Sequence, residues 1–165
     1  HASNPYGDGH ASERIADVLE DSSMNECFKL YKAAHACTKG PKFVRPLAGV
    51  FRHLSQLLFA CHIGSHAEIG EGCLFQHNGV GCVISEKAVI GKNCMLYQHV
   101  TVGALEGGAP IIEDDVLIGA NAVLLGNITV HKGAKIGAGA VVLCDVPEDS
   151  TAIGVPAKVL VPKAG

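Results

Sequence analysis

Aromatic side chains are scarce in this sequence. Trp is absent, and Phe, Tyr and Trp together make up 5% of the 165 residues, although 48% of the residues are hydrophobic. A broad globular core normally includes large aromatic rings, so this composition favours a narrow core filled with Ile, Val, Leu and Ala. The length allows one good core and is too short for two ordinary domains.

Other absences exclude whole classes of function. The sequence contains no run of 18 or more apolar residues, so it predicts no transmembrane span. The formal net charge is -3 at pH 7, which gives no reason to expect a nucleic-acid partner. No secretory signal is evident.

The seven cysteines show no pairing pattern. Their number is odd and no CxxC motif occurs, so the sequence indicates neither a disulfide framework nor a zinc site. Free Cys packs as a small hydrophobe, which is the interpretation for Cys73 and Cys94. A reduced, cytoplasmic setting follows as the default, and no metal is expected.

Aliphatic residues recur at a spacing of six through the second half of the chain. The unbroken series is Ile112, Ile118, Leu124, Val130, Ile136 and Val142. Shorter series precede it: Ile63, Ile69 and Phe75, then Ile84, Ile90, Leu96 and Val102. A period of six fits neither a helix nor an alternating strand. It predicts a solenoid whose short strands each point one aliphatic residue inward before the chain turns a corner.

This pattern resembles the hexapeptide-repeat family over roughly residues 61–160. The resemblance implies a mainly β fold, a left-handed parallel β-helix of triangular cross-section preceded by short α-helices. Left-handed crossovers are otherwise rare, so the predicted hand depends on the resemblance alone. Most members are acyltransferases that use acetyl-CoA or another acyl donor. They are typically trimers with active sites between neighbouring subunits.

Two helices are predicted before the solenoid. The first runs from Asn25 to about Cys37 and is broken by Lys39-Gly40-Pro41, and Pro46 opens the second. The second helix carries an apolar stripe that is expected to pack on a core or on a partner subunit. The stripe consists of Leu47, Val50, Phe51, Leu54, Leu57 and Leu58.

The first 21 residues resemble the C-terminal end of bacterial UDP-N-acetylglucosamine 2-epimerases, on the segments Asn4–Gly9 and Ala11–Ile15. Two interpretations stay open: a link to nucleotide-sugar metabolism through a fused or adjacent reading frame, and a helical leader of no functional meaning. The predicted organisation is a leader at 1–23, helices at 24–60, the β-helix at 61–150 and a closing tail at 151–165.

Two interruptions of the repeat are predicted to protrude as loops, where function tends to lie. Three extra residues lie near Gly79–Gly81, and four lie near Leu105–Gly108.

His77, beside the first interruption, is the predicted general base. Acyl transfer to a hydroxyl needs a base, and the unperturbed pKa of histidine suits that role. The segment Phe75–Gly81 resembles the serine acetyltransferase segment Asp-His-Ala-Thr-Gly, whose His is catalytic. Gln76 replaces the Asp of that segment, and His62 aligns with a second family Asp that orients the base. Three groups stay open as the partner that orients the imidazole of His77: a backbone carbonyl, Gln76 or His62.

His99 is predicted to line the acceptor site, where serine acetyltransferases usually have a small residue. Acetyltransferases from surface-polysaccharide loci look more like this segment. The segment Gly103–Pro110 lacks the Asp-Arg-His-Pro element whose His and Arg help serine acetyltransferases to hold the amino acid. A neutral sugar hydroxyl would not need those groups.

For the donor, the resemblance implies a groove in which backbone groups bind the pantetheine arm of CoA. The matching positions are Gly103, Gly119, Ala120 and Ala138, with Lys158 near the CoA phosphates.

The sequence therefore predicts an acetyl-CoA-dependent O-acetyltransferase that acts by direct transfer, with His77 as the base and a sugar or surface polysaccharide as the preferred acceptor. Free L-serine is the alternative acceptor. The expected assembly is a homotrimer, with a dimer of trimers left open. A non-catalytic trimeric scaffold and a γ-carbonic-anhydrase-like metal enzyme are further alternatives; the latter lacks its His-x4-His pair here.

Overall fold

The computed structural model describes residues 10–20 and 25–161. Its helices are α1 (Ala11–Glu20), α2 (Glu26–Lys39) and α3 (Pro46–Phe59). The side chain of Asn25 caps α2 by accepting a hydrogen bond from the backbone N–H of Phe28. Pro46 lies in the first turn of α3, where its missing N–H costs nothing. Both predicted helices are confirmed. Residues 1–9 of the epimerase-like segment lie outside the described residues.

Fifteen very short strands follow the helices. They are β1 (His62–Ile63), β2 (Glu68–Ile69), β3 (Leu74–Phe75), β4 (Val83–Ile84), β5 (Val89–Ile90), β6 (Met95–Leu96), β7 (Thr101–Gly103), β8 (Ile111–Ile112), β9 (Leu117–Ile118), β10 (Val123–Leu125), β11 (Thr129–Val130), β12 (Lys135–Ile136), β13 (Val141–Val142), β14 (Thr151–Ile153) and β15 (Lys158–Leu160).

Every third strand pairs in parallel, so the chain winds through three faces. The first face has the order β1-β4-β7-β10-β13, the second β2-β5-β8-β11, and the third β3-β6-β9-β12-β14-β15. Only β15 runs antiparallel, against β14, where it closes the third face. The predicted parallel solenoid is confirmed, with one hexapeptide for each strand and corner.

The core is a single column of aliphatic side chains inside the coils. Within each strand one residue points in and its neighbour points out, because side chains alternate across a strand: Ile84 is fully buried and Val83 is exposed. Small side chains fill the core at the corner that follows a strand. Cys73 and Cys94 occupy two of these positions, and both are buried and free, as predicted. Large aromatic rings enter this core only at its N-terminal end, within the described residues, where Phe75 meets Phe28 and Tyr31 of α2.

The corners are built from left-handed residues stacked one above another. Between the third and first faces, at what we name the first corner, stand Gly81, His99, Asn121 and Gly139, with φ of 70°, 58°, 59° and 69°. Gly, Asn and Asp reach this region at least cost, and His does so less often. His99 is therefore the unusual member of this column.

The two predicted interruptions are both present as compact turns. The first is the tight turn Gln76–Gly79, which enlarges the first corner in the first coil. The second is a hairpin in which Leu105 and Gly108 exchange backbone hydrogen bonds of 2.9 and 3.1 Å. Glu106 and Gly107, with positive φ, form its tip, the geometry of a two-residue hairpin loop.

Most of the apolar stripe of α3 is exposed, although Phe51 packs against a small buried cluster between α2 and α3. Leu57 is 82% exposed, and Leu47, Val50 and Leu58 are also exposed. The buried face of α3 instead carries Ser55, which contacts the Sγ of Cys27 at 3.6 Å. Phe51 thus meets the first of the two packing sites that the sequence allowed, and a partner subunit stays a prediction for the exposed residues.

Among the described residues, no helix is both long enough and apolar enough to cross a membrane.

Candidate active site

His77 lies at the tip of the tight turn in the first corner. Its backbone is left-handed (φ 52°, ψ 40°), and so is that of Asn78 (φ 56°, ψ 24°). Two successive non-glycine residues in this region cost roughly 1 kcal/mol or more each. Strain of this kind persists only where surrounding contacts hold it, and it tends to occur at functional positions. The turn leaves His77 exposed.

The N-terminal helices hold this turn in place. Asn25, which caps α2, also donates its Nδ2 to the carbonyl oxygen of Phe75, two residues before His77. The backbone N–H of Gly81 donates to the carbonyl of Phe59 in α3 at 3.1 Å. The turn is therefore anchored to α2 on one side and to α3 on the other.

His99 stands one coil further along the same corner. Its backbone N–H donates to the carbonyl of Val80 at 2.8 Å, and its ring lies over Gly81. The side chain is exposed. The structure thus brings His77 and His99 to neighbouring coils of one corner.

Tyr97 and Gln98 also belong to this site, and the sequence analysis did not single them out. The rings of Tyr97 and His77 are 6.4 Å apart between centroids, with an interplanar angle of 52°. The Oε1 of Gln98 is buried and has no hydrogen-bond partner among the described residues. A buried acceptor without a partner is costly, so Gln98 offers one unused acceptor beside His99.

Among the described residues, no hydrogen bond joins the side chain of His77 to that of His62 or Gln76. The Nδ1 of His62 accepts a hydrogen bond from the Nε2 of Gln56 at 2.6 Å, and Gln76 is half-buried in the turn itself. Among the described residues, the side chain of His77 instead contacts the ring of Tyr97. His62 of the same chain therefore does not orient the imidazole of His77.

Ala120 and Ala138 lie in the first corner above His99, on successive coils. Among the described residues, neither backbone N–H donates to a backbone carbonyl, whereas the carbonyl of Ala120 accepts from Gly139 at 2.8 Å. A Cβ on Gly119 would come within 2.6 Å of the backbone nitrogen of Ala138, so only Gly fits between these coils. The corner therefore presents unpaired N–H groups one coil apart.

Gly103 and Lys158 lie elsewhere on the solenoid. Gly103 ends β7 at the base of the hairpin, and its carbonyl accepts from Gly126 at 3.1 Å. Lys158 begins β15 and is exposed. Lys158 pairs with Ile153, whose side chain lies over Gly137, the residue before Ala138.

One buried thiol borders the site. The Sγ of Cys82 donates to the carbonyl of Tyr97 at 3.3 Å, and burial raises the pKa of Cys82 to about 11. Cys82 is therefore a neutral packing residue at physiological pH. The described residues contain no group of three or more His, Cys, Asp or Glu side chains arranged to hold a metal ion.

The chemistry of this corner is proton transfer next to unpaired backbone donors. Two exposed imidazoles can exchange a proton with a bound hydroxyl. The free N–H groups above them can bind the carbonyl oxygens of an extended amide chain, since a backbone amide is a strong donor.

Comparisons with known proteins agree with this chemistry. The sequence pattern of the bacterial transferase hexapeptide family (six repeats) matches residues 109–144. The chain is 43% identical to the serine acetyltransferase of Bacillus licheniformis over 158 residues, which is 93% of this chain and 71% of that protein. It is 43% identical to the Synechococcus elongatus enzyme over 112 residues, but that match spans 66% of this chain and only 46% of the relative.

Solved structures give the same result. Soybean serine acetyltransferase complexed with serine superposes with a TM-score of 0.75 and 38% identity, over 96% of this chain and 71% of that chain. A serine acetyltransferase in complex with CoA superposes with a TM-score of 0.75 and 32% identity, over 91% of this chain and 68% of that chain.

Proposed function

The chain belongs to the serine acetyltransferase family, and from this premise we propose that it transfers the acetyl group of acetyl-CoA to the hydroxyl oxygen of L-serine. Membership confirms the predicted class, a hexapeptide-repeat acetyltransferase with a left-handed parallel β-helix. The observation that carries the proposal is the strained turn that exposes His77, in a segment that resembles the one holding the family's catalytic His.

The preferred acceptor differs from the one that the sequence favoured. A sugar acceptor, a surface-polysaccharide role and the epimerase link have no support among the relatives, whereas serine acetyltransferases match over 93% of the chain. A sugar hydroxyl remains the second candidate for one reason: the hairpin segment 103–110 contains no Lys, Arg or His to bind a carboxylate.

In the proposed reaction His77 acts as the general base. Its imidazole takes the proton of the acceptor hydroxyl while that oxygen attacks the carbonyl carbon of the thioester. The tetrahedral intermediate collapses and breaks the bond between carbon and sulfur, and the imidazolium returns the proton to the thiolate of CoA. His99, one coil away, lines the acceptor side, and the buried Oε1 of Gln98 is an unused acceptor beside it.

The donor groove is proposed to follow the upper part of the first corner. The unpaired N–H groups of Ala120 and Ala138 would bind carbonyl oxygens of the pantetheine arm, and Gly119 keeps the coils close enough for both to be reached. Gly103 and Lys158 belong to this groove only if a neighbouring subunit contributes them. Lys158 would then meet the CoA phosphates.

Assembly as a homotrimer is part of the proposal, with a dimer of trimers as the larger form. His77 and His99 are exposed in the single chain, where water would compete for the reacting groups, and the apolar stripe of α3 is exposed as well. A neighbouring subunit would cover such surfaces. The seven free thiols support a cytoplasmic setting.

The test is thiol release from acetyl-CoA, with L-serine, N-acetylmannosamine and an oligosaccharide acceptor in parallel. His77→Asn is the informative variant, because Asn accepts the left-handed backbone of this turn but cannot act as the base. We expect saturable turnover with L-serine and a loss of about 10²- to 10⁴-fold in kcat for the variant.

The matched control is His66→Asn, since His66 is exposed at another corner and contacts Glu86 at 3.4 Å. It should keep wild-type activity. Turnover with a sugar and none with L-serine would replace the proposed acceptor by the second candidate. Full activity of His77→Asn would remove His77 from the mechanism.

A further inference from the structure

No hydrogen bond within residues 10–20 and 25–161 orients the imidazole of His77. The tight turn fixes the backbone of His77, but the side chain keeps two torsion angles of its own. The Nδ1 of His62 is engaged by Gln56 at 2.6 Å. A catalytic group works only when it is held within roughly 0.5 Å and 10–20° of its productive position. Another kind of contact therefore has to hold this ring.

The ring of Tyr97 makes such a contact. Its centroid lies 6.4 Å from that of the His77 imidazole, and the two planes are inclined at 52°. Aromatic rings attract each other best in offset or edge-to-face arrangements, with centroids about 4.5–7 Å apart. The attraction of such a pair favours the contacting orientation roughly threefold to tenfold. A bias of that size changes the fraction of molecules in which the base is correctly aimed.

The coil holds Tyr97 more firmly than the turn holds the side chain of His77. The backbone N–H of Tyr97 donates to the carbonyl of Ile118 at 3.0 Å, and its own carbonyl accepts from the Sγ of Cys82 at 3.3 Å. Tyr97 directly follows β6, which pairs in register with β3. It therefore stands one coil above Gln76, the residue before His77, and its ring can serve as a fixed wall for the imidazole.

The place of Tyr97 in the repeat is one where later coils have Gly. The register of the third face puts Gly119 and Gly137 at the same place in the next two coils. A Cβ on these glycines would lie 2.6 Å and 2.7 Å from atoms of the coil beyond, so the stacking of coils there excludes a side chain. Coil packing therefore does not call for a large ring at this place, and the ring of Tyr97 stands where it meets His77.

We propose that Tyr97 is a positioning residue: its ring holds the imidazole of His77 in the orientation that accepts the proton of the acceptor hydroxyl. Tyr97 acts through His77 and not on the substrate. The role belongs to the aromatic ring and not to the phenol hydroxyl, because the contact joins the two rings. The inference rests on the function proposed above, since it concerns the base of that reaction.

The test compares Tyr97→Phe, which keeps the ring, with Tyr97→Leu, which removes it. Steady-state kinetics with acetyl-CoA and L-serine should give Tyr97→Phe the wild-type kcat. We expect Tyr97→Leu to lose about threefold to tenfold in kcat while both KM values stay within about twofold of wild type. The matched control is Leu143→Ala, because Leu143 also follows an inward-pointing residue directly but is 53% exposed at a different corner. It should keep the wild-type kcat.

The NMR signals of the His77 ring protons report the same contact without any substrate. They are assigned by their absence from the spectrum of His77→Asn. The ring current of a neighbouring aromatic side chain displaces such signals, so we expect Tyr97→Phe to preserve their positions. Tyr97→Leu should move them toward those of His66, an exposed histidine. Unmoved signals in Tyr97→Leu would overturn the proposal, because the two rings would then not be in contact.

The kinetic outcomes separate this inference from the proposed function. An unchanged kcat in Tyr97→Leu would overturn the positioning role while acetyl transfer stands. An equal loss of kcat in Tyr97→Phe would assign the effect to the hydroxyl, and a rise in KM with unchanged kcat would make Tyr97 a substrate-binding residue; either result overturns the proposal. If the wild-type chain acetylates neither L-serine nor a sugar, the proposed function fails and the role of Tyr97 fails with it.

Discussion

The imidazole of His99 occupies the place that a side chain on Gly81 would need: a Cβ on Gly81 would lie 2.0 Å from the Nδ1 of His99. Gly81 has a φ of +70°, so both its backbone and its missing side chain are required here. The glycine of one coil thereby lets the histidine of the next fold down over the active-site turn.

Replacing Gly81 by Ala should therefore disturb catalysis more than stability. Gly139→Ala is the matched control, because Gly139 has nearly the same φ, +69°, in the same column, and a Cβ there would meet nothing within 4 Å. Both variants carry the left-handed penalty of roughly 1 kcal/mol. Only Gly81→Ala displaces the ring of His99, so we expect its kcat/KM with L-serine to fall at least about tenfold below that of the control.

Thermal unfolding and steady-state kinetics on both variants separate the two effects. Equal activity in Gly81→Ala and Gly139→Ala would mean that the position of His99 has no role in acyl transfer.

Asn25 should couple the helices to catalysis through its two hydrogen bonds. Its Oδ1 caps α2 by accepting from Phe28 at 3.0 Å, and its Nδ2 donates to the carbonyl of Phe75. Asn25→Asp keeps the capping acceptor and loses the donor, whereas Asn25→Ala loses both. We expect Asp to preserve α2 and lower kcat, and Ala to cost about 1 kcal/mol more from the lost cap.

Urea unfolding measures the stability of these variants, and kcat with L-serine measures their activity. A wild-type kcat in Asn25→Asp would show that the tether to Phe75 does not hold the turn in its active form.

The hydroxyl of Tyr31 should stabilise the junction between α2 and the first coil. It is buried and donates to the carbonyl of Ala67 at 2.7 Å, while its ring stacks on Phe28 at 5.5 Å between centroids. Tyr31→Phe keeps the stacked ring and leaves that carbonyl without its donor, at a cost of about 1–2 kcal/mol. Urea unfolding measures it, and an unchanged midpoint would mean that another donor replaces the hydroxyl.

The solenoid was predictable because its signal is repeated and local. The inward-pointing residue recurs at the same place in each hexapeptide. The spacing alone therefore identifies Ile84 and Leu124, and both are fully buried. The two interruptions are predictable for the same reason, because each one breaks the regular spacing of six residues. His77 followed from its place beside the first break together with the family resemblance.

The remaining features depend on contacts between segments that the spacing does not encode. Nothing in the sequence shows that Tyr97 reaches the ring of His77, or that Gln56 engages His62, since both depend on how coils and helices are stacked. Helical spacing identifies α3 and its apolar side, but it does not show that Phe51 packs on this chain while Leu57 stays exposed, or that Ser55 is buried beside Cys27.

Alkaline pH should destabilise the fold through the buried thiol of Cys82. Its side chain is fully buried, and burial raises its pKa from 9.0 to about 11. In the unfolded chain the thiol loses its proton near pH 9, while the folded chain retains it. The stabilisation is therefore complete below about pH 9 and is lost as the pH rises toward 11, at about 1.4 kcal/mol per pH unit for one proton.

Cys82→Ala tests this assignment with little change in packing, because Ala122 and Ala140 fill the equivalent slots of later coils. Other buried groups with raised pKa values, Tyr31 and Cys37 among them, act in the same direction, so the informative quantity is the difference in slope between variants. Urea unfolding at several pH values from 8 to 11 should give Cys82→Ala a shallower loss of stability than Cys144→Ala, whose thiol is exposed. Identical slopes would mean that Cys82 ionises as readily in the folded chain as in the unfolded one, and that the slot beside Tyr97 is open to water.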